Sequence, residues 1–179
     1  MRNVLESIDS EYRRYKQLAE RAMEQLGEAD LSREGPGDGL SIATICWHIS
    51  GNLRSRFTDF LTSDGEKPWR NRDEEFLPRC VSRTELVTNW NHGWEALFGA
   101  LAALDDGHLT RTVTIRGQPL RVDEALHRSL AHTSYHVGQI VYLAKAMRGT
   151  AWTYLSIAPG QSAAYNAAPD RERPAASRS

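Results

Sequence analysis

Apolar residues recur every three or four positions along four long stretches of the chain, the repeat expected of helices that bury one face. The first stripe runs from Val4, Leu5 and Ile8 through Tyr12, Leu18 and Met23 to Leu26, with Asn3 and Glu6 at helix-cap spacing and Gly27 as its stop. Three glycines and a proline between Leu31 and Gly39 predict a loop. Ser41 then caps a second helix that carries Ile42, Ile45, Ile49, Leu53, Phe57 and Phe60 and ends near Thr62. Residues 63–81 read as a long connection with room for short helical turns.

Ser82 and Glu85 have the spacing of a capping box and open a third helix with Val87, Trp90, Trp94, Leu97, Phe98 and Leu101 on its apolar side, closed by Asp105, Asp106 and Gly107. Thr112 to Ile115 and Leu120 to Val122 flank Arg116, Gly117, Gln118 and Pro119, which predicts a small hairpin. The fourth helix follows from about Asp123 to Arg148, with Gly149 as its stop. Q-S-A-A-Y-N reads as a short closing helix with Pro159 near its first turn. The last dozen residues, from Ala168, have almost nothing to bury and are expected to be disordered. The pattern implies an all-α four-helix bundle over residues 1–167, a single domain whose long connections require at least one crossover.

Composition narrows the partners. The 22 basic and 23 acidic residues nearly cancel to a net charge of −1, and the bases alternate with acids along the chain, so no concentrated positive field is available for a nucleic acid. No stretch approaches the 18 or so apolar residues of a membrane span, and the acids in the first dozen residues do not fit a secretory leader, so the expectation is a cytoplasmic protein. Cys46 and Cys80 form neither a C-x-x-C pair nor a disulfide framework. Cys46 falls in an apolar helical segment and reads as a small core residue.

Candidate chemistry lies with the histidines. His132 and His136, four apart in H-T-S-Y-H, project from one helix face at the edge of the core stripe and can converge on one metal ion. The segment lacks the Glu that follows the first His in H-E-x-x-H metalloproteases. His48 is the best third ligand, because its side of the second helix carries Ser41, Thr44, Gly51, Asn52 and Ser55, small polar residues that leave room for a cavity. The competing reading is that this side faces water and that the pair is half-exposed surface. His92, His108 and His127 read as surface residues. No Cys–His pairing competes, since Cys46 lies two residues before His48 and points about 200° away. Asn52 and Gln139, near the histidines along their helices, are the polar neighbours that could orient ligands. Arg70, Arg72, Asp73 and Glu74 could hold an anionic group at a pocket mouth, or pair internally to fix the connection.

W-H-I-S-G-N in the second helix and H-T-S-Y-H-V-G-Q-I in the fourth resemble the two metal motifs of the DinB/YfiT-like superfamily. W-R-N-R-D-E-E-F and L-S-I-A-P-G-Q-S-A-A-Y-N further resemble a bacterial branch labelled only as a domain of unknown function, and the similarity spans about residues 1 to 167. The resemblance implies a four-helix bundle with a crossover, frequently a homodimer, that holds a divalent ion such as Zn or Ni on His48, His132 and His136. Characterised relatives include thiol-dependent S-transferases and isomerases, so the resemblance implies a low-molecular-weight thiol as cosubstrate and a small-molecule substrate. Three neutral imidazoles leave a coordination position open, which favours a metal-dependent S-transferase or hydrolase. No acid or base is evident beside the histidines, which favours a non-catalytic metal-binding or dimerisation module.

Overall fold

The first periodic stripe becomes α1 (Asn3–Met23) in a computed structural model that describes residues 3–37 and 39–170. The remaining elements are α2 (Glu28–Ser32), α3 (Ile42–Phe57), α4 (Arg83–Ala102), β1 (Thr112–Ile115), β2 (Gln118–Arg121), α5 (Val122–Arg148) and α6 (Ser162–Asn166). Single 3-10 turns occupy Asp73–Phe76, Asp106–His108 and Gly149–Ala151. The architecture is mostly helical, with one two-stranded antiparallel hairpin. Most of the expected disordered tail, beyond Asp170, lies outside the described residues.

Helix starts follow local chemistry. Ser41 Oγ accepts the Thr44 N–H at 3.1 Å and Ser82 Oγ accepts the Glu85 N–H at 3.2 Å, each satisfying an orphan amide of a first turn. At α1 the cap differs from the expectation. The helix already begins at Asn3, and the Val4 and Leu5 amides donate instead to the Asp106 carboxylate at 3.4 and 3.2 Å. A long-range acid placed at the positive end of the helix does what a local cap would do.

Helix α1 packs against α5 and α4, and α3 packs against α4, α5, α2 and the turn Asp73–Phe76. Trp90 and Trp94 are fully buried on α4, beside Leu97 and Leu101, and Trp94 meets Tyr12 from α1 edge to face at 6.3 Å. The Tyr12 hydroxyl donates to the Leu126 carbonyl of α5 at 3.0 Å, and Trp90 Nε1 donates to Glu20 of α1 at 3.1 Å, so these two aromatics bury their rings with their polar atoms met, whereas Trp94 Nε1 is buried without a hydrogen-bond partner. Between α3 and α4 the backbones come unusually close at Gly93, where a Cβ would stand 2.6 Å from Ser50 Cα. Cys46 is fully buried with its Sγ 3.6 Å from Met23 Sδ, and burial pushes its thiol well above the usual range.

Several expectations need correction. The α1 helix stops at Met23, and the expected loop from Leu31 begins inside α2, whose Gly27 amide donates to Asp30 and whose Leu31 is fully buried. A five-residue helix is too short to show a period. The α3 helix ends at Phe57, not near Thr62, because the chain turns through Asp59 at a φ of 51° while Phe60 still reaches the core. Val4 and Val87 face solvent, at 45% and 40% exposure, although they continue the stripes. The hairpin turn is two residues, Arg116 and Gly117 at φ of 55° and 70°, and not four. Pro119 pairs with Thr114 inside β2, where a strand with one neighbour tolerates a missing N–H. Pro159 precedes α6 by three residues and does not form its first turn.

Two isolated strands are marginal, and a carboxylate stabilises this pair. Asp64 accepts the Arg116 and Gly117 amides at 2.8 and 2.7 Å, and the Gly65 N–H donates to Thr114 O at 2.8 Å, which docks the hairpin on the chain leaving α3. Hydrogen bonds from backbone amides hold the Asp64 carboxyl well below the usual carboxylate range.

Close approach at Gly93 has a direct test by urea denaturation. Gly93→Ala forces a methyl into the Ser50 backbone and is expected to lower stability by about 1–3 kcal/mol. Gly99→Ala on the same helix meets nothing within 4 Å and is expected to raise it by roughly 0.5–1 kcal/mol through helix propensity. Equal effects would contradict the packing described.

Candidate metal centre

The side of α3 that carries His48 is mostly buried: Ser41, Thr44 and Ser55 are buried with it, and Gly51 and Asn52 are half-buried. From the facing helix α5, His132 and His136 project one turn apart toward the same point. A ring nitrogen from each of the three can be chosen so that all lie within 4.8 Å of one another, and His48 Nε2 stands 3.2 Å from His132 Nε2. Four nitrogens placed tetrahedrally about 2.0–2.1 Å from a zinc ion stand roughly 3.3 Å apart, so the closest pair already has the required separation. His48 and His136 are buried, whereas His132 is half-exposed and opens the group toward solvent.

Two of the imidazoles are oriented from behind. His48 Nδ1 lies 2.8 Å from Glu75 Oε2. An ionised carboxylate only accepts, so Nδ1 carries the proton and the Nε2 lone pair faces the other histidines. His136 Nδ1 lies 2.7 Å from Gln139 Oε1, and by the same reasoning its Nε2 is left with a lone pair, buried and without a hydrogen-bond partner. A buried acceptor with no donor is costly unless something electropositive meets it.

Electrostatics keep the two α5 rings, His132 and His136, in the neutral form a metal requires. Burial, followed by the neighbouring His136 and His48 and the more distant Arg70 and Arg56, pushes His132 down to about 3. Burial likewise pushes His136 down to about 4, against the opposing hydrogen bond to Gln139. Burial acts to raise the Glu75 carboxyl, but hydrogen bonds from Arg70 and His48 outweigh it and hold Glu75 below the usual range. Three imidazole nitrogens, one of them buried and without a hydrogen-bond partner, are positioned to hold a metal ion.

Glu75 did not emerge from the sequence reading. It sits on the 3-10 turn Asp73–Phe76, where Arg70 grips it in a fork, Nε to Oε1 at 2.7 Å and Nη2 to Oε2 at 2.8 Å. Phe76 follows, with its ring 4.5 Å from that of His48. Of the acids considered with Arg70, Asp73 and Glu74 are exposed, and Arg72 stands 3.7 Å from Asp73 with its guanidinium over Phe76. The only hint was the charged run itself, which names several equivalent Arg–carboxylate pairings.

Asn52 is half-buried and, among the described residues, makes no hydrogen bond to the three histidines, whereas Gln139 contacts His136 directly. His92 and His127 are exposed, and His108 pairs with Asp105 at 2.8 Å in the turn after α4. Tyr135 lays its ring 4.0 Å from His136 and, with Gln139, Ile45, Leu40, Tyr142 and Leu143, lines a cavity of about 390 Å³ beside the centre. A second cavity, of about 480 Å³, lies within the segment from Trp152 to Tyr165 and includes none of the histidines.

Among the described residues no helix is long and apolar enough to cross a membrane. Curated proteins give no match to the chain. A family model described as a protein of unknown function, DUF1572, matches residues 1–161, which takes in α1 through α5 and every residue of the histidine centre. The chain belongs to the DUF1572 family.

Proposed function

We propose that this chain is a DinB-type four-helix bundle with crossover connections, built of α1, α3, α4 and α5, and that it is a metal-dependent enzyme. His48, His132 and His136 hold a divalent ion, Zn or Ni, and the chemistry is that of an S-transferase acting with a low-molecular-weight thiol or of a hydrolase acting with water. A divalent ion on three neutral imidazoles retains its charge and lowers the pKa of a thiol or water molecule at its open position. The observation that carries this reading is the convergence of the three ring nitrogens, with His136 Nε2 buried and unpartnered.

The chain's own residues divide the remaining work. His48 and His136 are held by Glu75 and Gln139, and half-exposed His132 marks the side from which a small molecule arrives. The cavity bordered by Tyr135 and Tyr142 offers an apolar surface to the body of a small substrate. The superfamily resemblance carries a homodimer, and the near-neutral alternating charge and the lack of a long apolar stretch carry a cytoplasmic location without nucleic-acid or membrane partners. One observation favours a non-catalytic metal-binding or dimerisation module instead: the carboxylate hydrogen-bonded to His48, Glu75, already accepts three bonds from Arg70 and His48 and is held below the usual range, which makes it a weak base.

One series of variants tests both readings. Replacing His48, His132 or His136 by Ala is expected to drop metal content well below one ion per chain, while His92→Ala, His108→Ala and His127→Ala retain it, by elemental analysis with circular dichroism as the folding control. The metal-loaded protein is expected to consume a small thiol in the presence of an electrophile, or to cleave an activated ester, faster than chelated protein. Metal retention with equal rates would leave the module. Full metal in His48→Ala would remove the cross-helix site.

Acid acts on the metal-free protein with a definite sign. Folded His132 and His136 stay neutral down to about 3 and 4, whereas both take up protons near 6.5 once unfolded. Between these values the unfolded chain binds more protons, so stability is present above about pH 6.5 and is lost as pH falls toward 4. Thermal melts of chelated protein across that window are expected to show a falling midpoint, and a smaller fall in His132→Ala.

A further inference from the structure

We propose that Glu75 is a positioning residue for the histidine centre: through Nδ1 it fixes the tautomer of His48 that turns the Nε2 lone pair toward His132 and His136, and Gly51 is the notch that admits its carboxylate. The effect on metal affinity rests on the proposed metal site; the effect on the tautomer rests on the geometry alone.

The arrangement is more than a salt bridge that fastens a loop. Arg70 and Glu75 form a bidentate pair with side chains only 2% and 8% exposed, and the fork fixes the plane of the carboxylate. Oε2 of the same carboxylate accepts a second bond, from His48 Nδ1 at 2.8 Å, so the pair also holds the ring. Phe76, the next residue, packs its ring 4.5 Å from His48, and the same turn thus both orients and covers the imidazole.

Gly51 supplies an independent indication. It lies inside α3, one turn beyond His48, where glycine weakens a helix relative to alanine. A Cβ there would stand 2.1 Å from Glu75 Oε1 and 2.7 Å from the carboxyl carbon. The missing side chain is the space the carboxylate occupies. A metal-bound His commonly donates its other ring N–H to a carboxylate, which raises its basicity, and loss of such a partner typically weakens metal affinity by 10–100-fold. Here the charged acceptor serves His48, and the neutral amide of Gln139 serves His136.

The test uses the full chain and two readouts. In metal-free protein, two-bond nitrogen–proton NMR of the imidazoles is expected to find His48 protonated on Nδ1. Glu75→Ala and Gly51→Ala are expected to move it toward the Nε2–H form, and Glu75→Gln, which keeps an acceptor, to preserve it. Zinc alone, titrated against a chromophoric chelator, is expected to bind about 10–100-fold more weakly to Glu75→Ala and Gly51→Ala, with Glu75→Gln in between. Should Glu75→Ala fail to fold, Gly51→Ala carries the test, since it alters no polar group. An unchanged tautomer in folded Gly51→Ala and Glu75→Ala, with zinc affinity within twofold of wild type, would overturn the proposal. A wild-type chain that binds no zinc, yet whose His48 tautomer responds as expected, would overturn the metal reading and support the positioning role.

Discussion

An ionised carboxylate taken out of water costs several kcal/mol unless its lone pairs are met, and the centre of this protein depends on meeting those of Glu75. Arg70 supplies two donors and His48 a third, each at 2.7 to 2.8 Å. The chain Arg70–Glu75–His48 therefore links the connection between α3 and α4 to the face of α3 that meets α5. Without it, His48 would lose the acceptor that defines which nitrogen faces inward, and the buried guanidinium would lose its counter-charge. The helices bring three imidazoles together; this polar chain determines what one of them presents.

Burial and neutrality are coupled in the same place. The desolvation that makes charge expensive also depresses His132 and His136 far below their ordinary range, so that the two rings that face His48 are held as neutral donors. An apolar filling would have been a simpler solution for a helix interface. The proposed metal accounts for keeping three imidazoles there with His136 Nε2 buried and without a hydrogen-bond partner.

Much of this was legible in the sequence, because most of it is periodic. Four stripes located four helices, Ser41 and Ser82 marked two starts, and the spacing of His132 and His136 together with small residues around His48 assembled the candidate site. Features without a period were harder to read. The α2 helix is shorter than two turns, and the cap of α1 comes from Asp106, about a hundred residues away. A turn that places Arg116 in a left-handed conformation becomes intelligible once Asp64 is seen to bind its amide. Glu75 was one acid among three in a charged run, and only the 3-10 turn decides that it, and not Asp73 or Glu74, points inward. Spacing encodes which residues share a helix face; it does not encode which of several carboxylates a buried arginine selects.

The central claim is that three imidazoles from two helices form one coordination sphere. X-ray absorption on the zinc-loaded full chain measures that sphere directly. The account expects three imidazole nitrogens at about 2.0–2.1 Å, with the multiple-scattering pattern of the rings and the remaining position filled by a light non-protein atom. A sphere containing sulfur, or only two imidazoles completed by carboxylate oxygens, would contradict it.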